Sequence, residues 1–171
     1  PFGTRILHKN LQDLFPENEI MHHYAPFEEI EGKRPAGKVN FLSISTGFSP
    51  GNSQAADLMG DIEAGKHVFI AAERFGGPFA DSLGIASEFD FSHINARFNP
   101  ADLKQNARQE IGFNSAPFDT SQTFNYYASH ASYFFNKFDS TQFNVLATNQ
   151  NGKPVLIKAL RKKGSITLCT L

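Results

Sequence analysis

Six histidines, one cysteine and 17 acidic side chains are the groups in this chain that could move protons, hold a metal or attack an electrophile. Their spacing limits what they can do. His22 and His23 are adjacent, so on a strand they face opposite ways and do not chelate one ion. His8, His67, His93 and His130 are scattered, with no HxH or HxxxH spacing beside a carboxylate and no CxxC pair, so no metal is assigned. His22 would point the same way as Ile20 and Tyr24 and is the histidine expected to be partly buried. Cys169 lies between Leu168 and Thr170 in a terminal apolar stretch, where a thiol serves as a small apolar residue rather than a nucleophile. A lone cysteine forms no intramolecular disulfide. Glu28, Glu29 and Glu31 share a stretch with Lys33 and Arg34, the pattern of a solvated loop rather than an acid/base pair.

Gly76-Gly77 precedes a helical pattern, and backbone N–H groups there could cradle a phosphate. The stretch is not GxGxxG, however, and GxxxxGK[ST] is absent, so a tight turn is expected and no cofactor is assigned. In open α/β sheets, ligands sit outside the carboxyl ends of the strands. Two such ends are Thr46–Asn52 (TGFSPGN) and Glu73–Gly77 (ERFGG). Their polar groups and glycines define a candidate ligand crevice of Ser45, Thr46, Ser49, Asn52, Glu73, Arg74, Gly76 and Gly77. The competing reading is that Glu73 and Arg74 pair with each other or with neighbours.

The elements that must position these residues follow from periodicity. Thr4 is placed to cap a helix with Leu7, Leu11, Leu14 and Phe15 on one face, ended by Pro16. Glu19–Tyr24 reads as a short strand and Glu28–Lys38 as a loop. Val39–Ser45 is nearly all apolar, as for a strand covered on both faces. Asn52 or Ser53 then caps a helix carrying Ala55, Leu58, Met59 and Ile62, with Gly65 at its C-terminal cap. His67–Ala72 is a second buried strand, Glu73–Pro78 a Gly-rich loop, and Phe79–Leu83 a short helix closed by Gly84. This order implies parallel strands with crossover helices.

Further on, Glu88–His93 alternates like a half-buried strand. Ala101–Glu110 suits a short helix, Ile111–Ser121 a loop, and Asn125–Phe135 a strand-rich or irregular stretch. Phe143–Thr148 and Pro154–Leu160 form a hairpin around Asn151-Gly152. A second turn, Arg161–Gly164, leads to a last strand from Ser165. Phenylalanine occurs 18 times against no tryptophan, so it is the bulky core former. Ten phenylalanines fall between Phe89 and Phe143, as a second core layer or a contact surface.

The net charge is −1. The first 85 residues carry 7 basic and 11 acidic side chains and the remainder 9 and 6. That asymmetry is too mild for a nucleic-acid partner. Lys158, Arg161, Lys162 and Lys163 form the one basic cluster, read as a solvated hairpin edge because no aromatic side chains interleave with it.

Several stretches together resemble a bacterial family of unassigned activity, domain of unknown function number 4350. They are the opening Phe-Gly-Thr with its helix ending Asp-Leu-Phe-Pro, VNFLSIS, the helix into Glu-Ala-Gly-Lys, HVFIAAERFGG, and NGKPVLIKALRKKGSITLCTL. The resemblance spans nearly the whole chain. It implies a class I glutamine amidotransferase-like, flavodoxin-like three-layer α/β sandwich, with a mostly parallel central sheet and a C-terminal antiparallel hairpin. It also implies one α/β domain over residues 1–171, excised from a longer membrane-anchored protein. The domain would lie on the extracytoplasmic face of the inner membrane, tethered by helices outside this fragment, with protein partners at the membrane.

In the amidotransferase pattern a nucleophile follows a central strand. Here that place reads Glu73-Arg74-Phe75-Gly76-Gly77, without Cys or Ser, and Phe143–Leu168 contains no His or Glu. Fold alone does not carry function. The expectation is therefore a non-catalytic sensing or protein-interaction domain, with no catalytic residue assigned. Two alternatives compete. One is a divergent hydrolase or amidotransferase-like enzyme that uses the crevice at the strand carboxyl ends, with Glu73 beside a histidine. The other is a structural assembly module with an exposed Phe-rich surface.

Overall fold

Nine strands and three helices account for the regular structure of the described residues. They belong to a computed structural model that describes residues 2–23, 39–91, 108–115, 118–127 and 133–170. The chain divides into two compact units, Pro1–Arg34 and Pro35–Leu171.

In the first unit, α1 (Phe2–Leu14) begins before Thr4, so Thr4 lies inside the helix instead of capping it. Leu7 and Leu11 are half-buried, while Leu14 and Phe15 are exposed. Residues 19–23 form no strand, Tyr24 lies outside the described residues, and His22 is exposed. The His22 ring instead packs on His8, with centroids 3.8 Å apart.

The second unit is a mixed sheet built on one crossover. β1 (Phe41–Phe48) leads through α2 (Asn52–Ala64) to the parallel strand β2 (His67–Phe75). α3 (Gly77–Leu83) and β3 (Ala86–Phe89) follow. β4 (Arg108–Phe113), β5 (Thr123–Tyr127), β6 (Tyr133–Lys137), β7 (Phe143–Asn149), β8 (Pro154–Arg161) and β9 (Gly164–Cys169) complete the order. Seven strands form one sheet in the order β1-β2-β9-β8-β7-β4-β5, and β3 pairs with β6 separately.

This sheet corrects the expected architecture. Only β1–β2 and β2–β9 are parallel. The other four ladders of the large sheet are antiparallel, as is β3–β6. The protein is β-rich and mixed, not a mostly parallel flavodoxin-like sandwich. The cause is the middle of the chain. Arg108–Phe113, expected partly as helix and partly as loop, is a strand between β5 and β7. Non-local pairing overrides local propensity there. Residues 101–107 lie outside the described residues. The described residues hold no helix long and apolar enough to cross a membrane, so the membrane-anchored description finds no anchor within them.

Register partners share a sheet face, and one face is the core. Val68 and Ile70 on β2 align with Ile166 and Leu168 on β9, and these with Ala159 and Ile157 on β8. All six are 3% exposed or less. Ala55, Leu58 and Ile62 add the buried stripe of α2 at helical spacing. Each fully buried Leu or Ile contributes about 2 kcal/mol. β1 departs from its expected burial on both faces. Among the described residues it ends the sheet order, and Leu42 and Ile44 are 42% and 44% exposed.

Caps and turns are local. α2 starts at Gly51 with no side-chain cap, so neither Asn52 nor Ser53 caps it, while Gly65 closes it at φ 120°. The expected Asn151-Gly152 turn is present, with Gly152 at φ 73° and its N–H donating to the Asn149 carbonyl at 2.8 Å. Two similar turns, Phe118–Gln122 (FDTSQ) and Phe138–Gln142 (FDSTQ), use one device. Asp119 Oδ1 accepts from the Ser121 N–H and hydroxyl at 2.9 and 2.6 Å. Asp139 Oδ1 accepts likewise from Thr141 at 2.9 and 2.6 Å.

Two predictions follow from this packing. A Cβ on Gly164 would press into the carbonyl oxygens of Ile62 and Lys66, so Gly164→Ala is expected to cost about 3 kcal/mol in urea unfolding. The second concerns pH. The hydroxyl of Thr141, then the Gln142 amide, hold the Asp139 carboxyl below its usual 3.8. A depressed folded pKa gives stability that is present above the unfolded value and lost as pH falls through the folded one. Asp139→Asn should therefore lower the melting temperature at neutral pH, and the gap to the parent should close in acid.

Candidate functional site

The carboxyl ends of β1 and β2 are where the candidate crevice falls, and both strands run further than expected. Thr46 belongs to β1, and Glu73 and Arg74 belong to β2. Strand periodicity then divides the polar groups. Ser45 aligns with Ala72 and Gly47 with Arg74, which puts Ser45 and Arg74 on one face. Thr46 and Glu73 point to the other. Adjacent residues on a strand cannot converge on one ligand, so the crevice does not assemble as a single site.

The individual placements agree. Ser45, Thr46, Ser49, Asn52 and Arg74 are exposed, and Glu73 is half-buried. The Ser45 hydroxyl donates locally to the Gly47 carbonyl at 2.9 Å. Among the described residues, Glu73 and Arg74 form no ion pair with each other or with neighbours, and no histidine lies within hydrogen-bonding reach of Glu73. Its backbone carbonyl accepts from the Ser87 hydroxyl at 3.0 Å, and that hydroxyl accepts from the Phe75 N–H at 3.3 Å. Ser87 thus ties β3 to the end of β2, a role no pattern in the sequence announces.

Ser49, Gly76 and Gly77 do come together, as a turn. The Gly76 N–H donates to the Phe48 carbonyl at 3.1 Å. Gly77 sits at φ 62°, and a Cβ there would meet Ser49 Oγ at 2.6 Å. Glycine is required both by conformation and by space.

Other reactive residues are structural. Cys169 is buried, 8% exposed. His67 Nδ1 lies 2.9 Å from Ser165 Oγ, beside the crossover. Glu28, Glu29, Glu31, His93 and His130 lie outside the described residues. Among the described residues, no three His, Cys, Asp or Glu side chains gather as a metal site. In the basic cluster Lys158 is half-buried on a central strand, and Lys162 pairs with Glu63. The cluster is therefore only partly the solvated edge expected of it.

Two constellations escaped sequence reasoning. Asp90 is buried and pairs with Lys153 at 2.9 Å, and Lys153 Nζ also lies 4.2 Å from the Phe134 ring centroid. This joins the end of β3 to the β7–β8 turn. The second is aromatic. Phe113 stacks on Phe118 at 4.1 Å between centroids and meets Phe124 edge-on at 5.7 Å. Phe118, Phe124 and Tyr126 are 39%, 41% and 43% exposed. The ten mid-chain phenylalanines therefore divide. Phe135 and Phe143 are core, and Phe98 lies outside the described residues. Phe118 and Phe124 are exposed at β5, the strand that ends the sheet among the described residues. The signal was the density of phenylalanine in a stretch without helical period.

No family model matches the sequence, and no curated protein matches it. Solved structures resemble it in fold. A β-galactosidase from Rahnella sp. R3 superposes with TM-score 0.51 and 12% identity, covering 77% of this chain and 20% of that one. A β-galactosidase from Bacillus circulans sp. alkalophilus gives TM-score 0.51 at 12% identity, covering 77% and 20%. The mmIFT52 N-terminal domain gives TM-score 0.51 at 11% identity, covering 94% of this chain and 77% of that one. The chain spans about a fifth of the length of the β-galactosidases it matches. At such identities the likeness concerns fold alone.

The Ser49–Gly77 turn makes a prediction. Gly77→Ala should cost about 1–2 kcal/mol in urea unfolding. Adding Ser49→Ala should recover the steric part and leave the conformational part, a coupling that a double-mutant cycle measures.

Proposed function

We propose that this chain is a non-catalytic protein-interaction domain whose contact surface is the aromatic edge at β4–β5. The observation that carries the reading is the cluster of Phe113, Phe118, Phe124 and Tyr126. Three of these rings are about two-fifths exposed on and beside a strand that pairs on one side only among the described residues. Aromatic side chains dominate interface energetics because each removes a large area from water at a small entropic cost. An open strand beside them supplies backbone donors and acceptors in register. The partner this edge suits is an extended polypeptide segment, added antiparallel to β5, with apolar residues at alternate positions.

The vacant place after β2 supports the non-catalytic part. It holds Gly76, Gly77 and Pro78, packed as a turn against Ser49. Glu73 and Arg74 point to opposite faces. Galactoside hydrolysis belongs to whole β-galactosidases, of which this fold covers a fifth, and no site residue comes from that likeness.

The test is a random peptide display selection on the immobilised chain. Extended peptides with alternating apolar residues should be enriched, and Phe118→Ala with Phe124→Ala should weaken them at least tenfold without changing the circular dichroism. Enriched peptides that bind the double variant equally well would remove this surface from the reading. Turnover of simple esters, amides or glycosides that Glu73→Gln abolishes would overturn the non-catalytic assignment.

A further inference from the structure

We propose that β1, at the opposite edge of the sheet, pairs with β1 of a second copy of this chain across a two-fold axis at Ser43. Among the described residues β1 is terminal in the sheet order, and its ladder to β2 runs without a register shift. Leu42 and Ile44 are 42% and 44% exposed, and Ser45, Thr46 and Gly47 after them are exposed as well. Natural edge strands are kept apart by charged side chains, proline or bulges. β1 has none of these. Between Lys38 and Asp57 no residue carries a charge.

Neutrality decides the occupant. In an isologous contact every side chain meets the image of its own surroundings, so a charged strand repels its copy. This strand brings no charge against itself. The register is also self-complementary. An axis at Ser43 sets Leu42 opposite Ile44 of the partner subunit, and Ile44 opposite Leu42 of the partner subunit. Residues directly opposite share a face, so the two exposed apolar side chains of each copy cover those of the other. Shifting the axis by one residue sets Leu42 opposite Thr46 of the partner subunit, or Ile44 opposite Asn40 of the partner subunit, and loses part of that match.

The size of the contact sets its strength. One pair of eight-residue strands with two apolar side chains on each buries less than the roughly 1,200 Å² of a standard interface. The dimer is therefore weak, forming at high micromolar chain concentration and dissociating on dilution. It leaves β5 free, so it is independent of the peptide reading above.

Sedimentation equilibrium of the full chain tests this. The weight-average mass should rise from 19.0 kDa toward twice that value with concentration. Ile44→Lys, at an exposed position, should hold the mass at the monomer value with an unchanged melting temperature. Disulfide trapping is the second measurement. At the axis residue 43 faces itself with Cα atoms about 4.5–5.5 Å apart, within disulfide reach. Residue 46 lies about 20 Å from its own image. Ser43→Cys should therefore cross-link under mild oxidation and Thr46→Cys should not, with Cys169 buried and silent. A chain that stays monomeric at all concentrations, a dimer that survives Ile44→Lys, or Thr46→Cys cross-linking as fast as Ser43→Cys would each overturn the proposal.

Discussion

Between β2 and β8 the large sheet changes from parallel to antiparallel pairing, and β9 carries both patterns at once. Its Ile166 and Leu168 are fully buried, aligned with Val68 and Ile70 on one side and with Ala159 and Ile157 on the other. The β1-α2-β2 crossover and the hairpin half of the sheet meet through this last strand. Gly164 is what lets it enter, because the carbonyls of Ile62 and Lys66 occupy the space of any side chain there. The Lys66 carbonyl also accepts from the Ser165 N–H at 3.3 Å. Everything toward β5 depends on that close approach.

The same strands explain why the expected crevice does not form. Sites at strand ends work when loops lift polar groups off the sheet and let them converge. Here β1 and β2 remain strands until Phe48 and Phe75. The alternation that buries Ala72 and Phe75 also sends Glu73 and Arg74 to opposite faces. The Ser45 hydroxyl turns back on the Gly47 carbonyl, and the Glu73 carbonyl and Phe75 N–H are bound to Ser87, so the end becomes a support for α3 and β3.

Exposed apolar side chains stand on both terminal strands of the sheet, among other places such as Leu160 on β8 and Phe91. At β5 they are aromatic, stacked and half-open. At β1 they are aliphatic and uncharged. Among the described residues both terminal strands pair on one side only, the arrangement that strand addition uses and on which the proposed interaction role rests.

Much of the local structure was legible from residue types alone. The α2 stripe of Ala55, Leu58 and Ile62, its Gly65 cap, the short helix closed by Gly84 and the two C-terminal turns all depend on neighbours within a few residues. So did the buried role of Cys169. What the sequence alone could not decide was which strands lie next to one another. Arg108–Phe113 becomes a strand only because β7 and β5 flank it. Val39–Ser45 reads as doubly covered, yet among the described residues β1 ends the sheet, because strand hydrophobicity does not encode position in the sheet order. The extra strand residues Glu73 and Arg74, and the aromatic cluster drawn from Phe113, Phe118 and Phe124, follow from pairing partners far away in the chain. Chain-local physics set the elements, and long-range pairing, which no local pattern specifies, set the mixed sheet and the surfaces it leaves open.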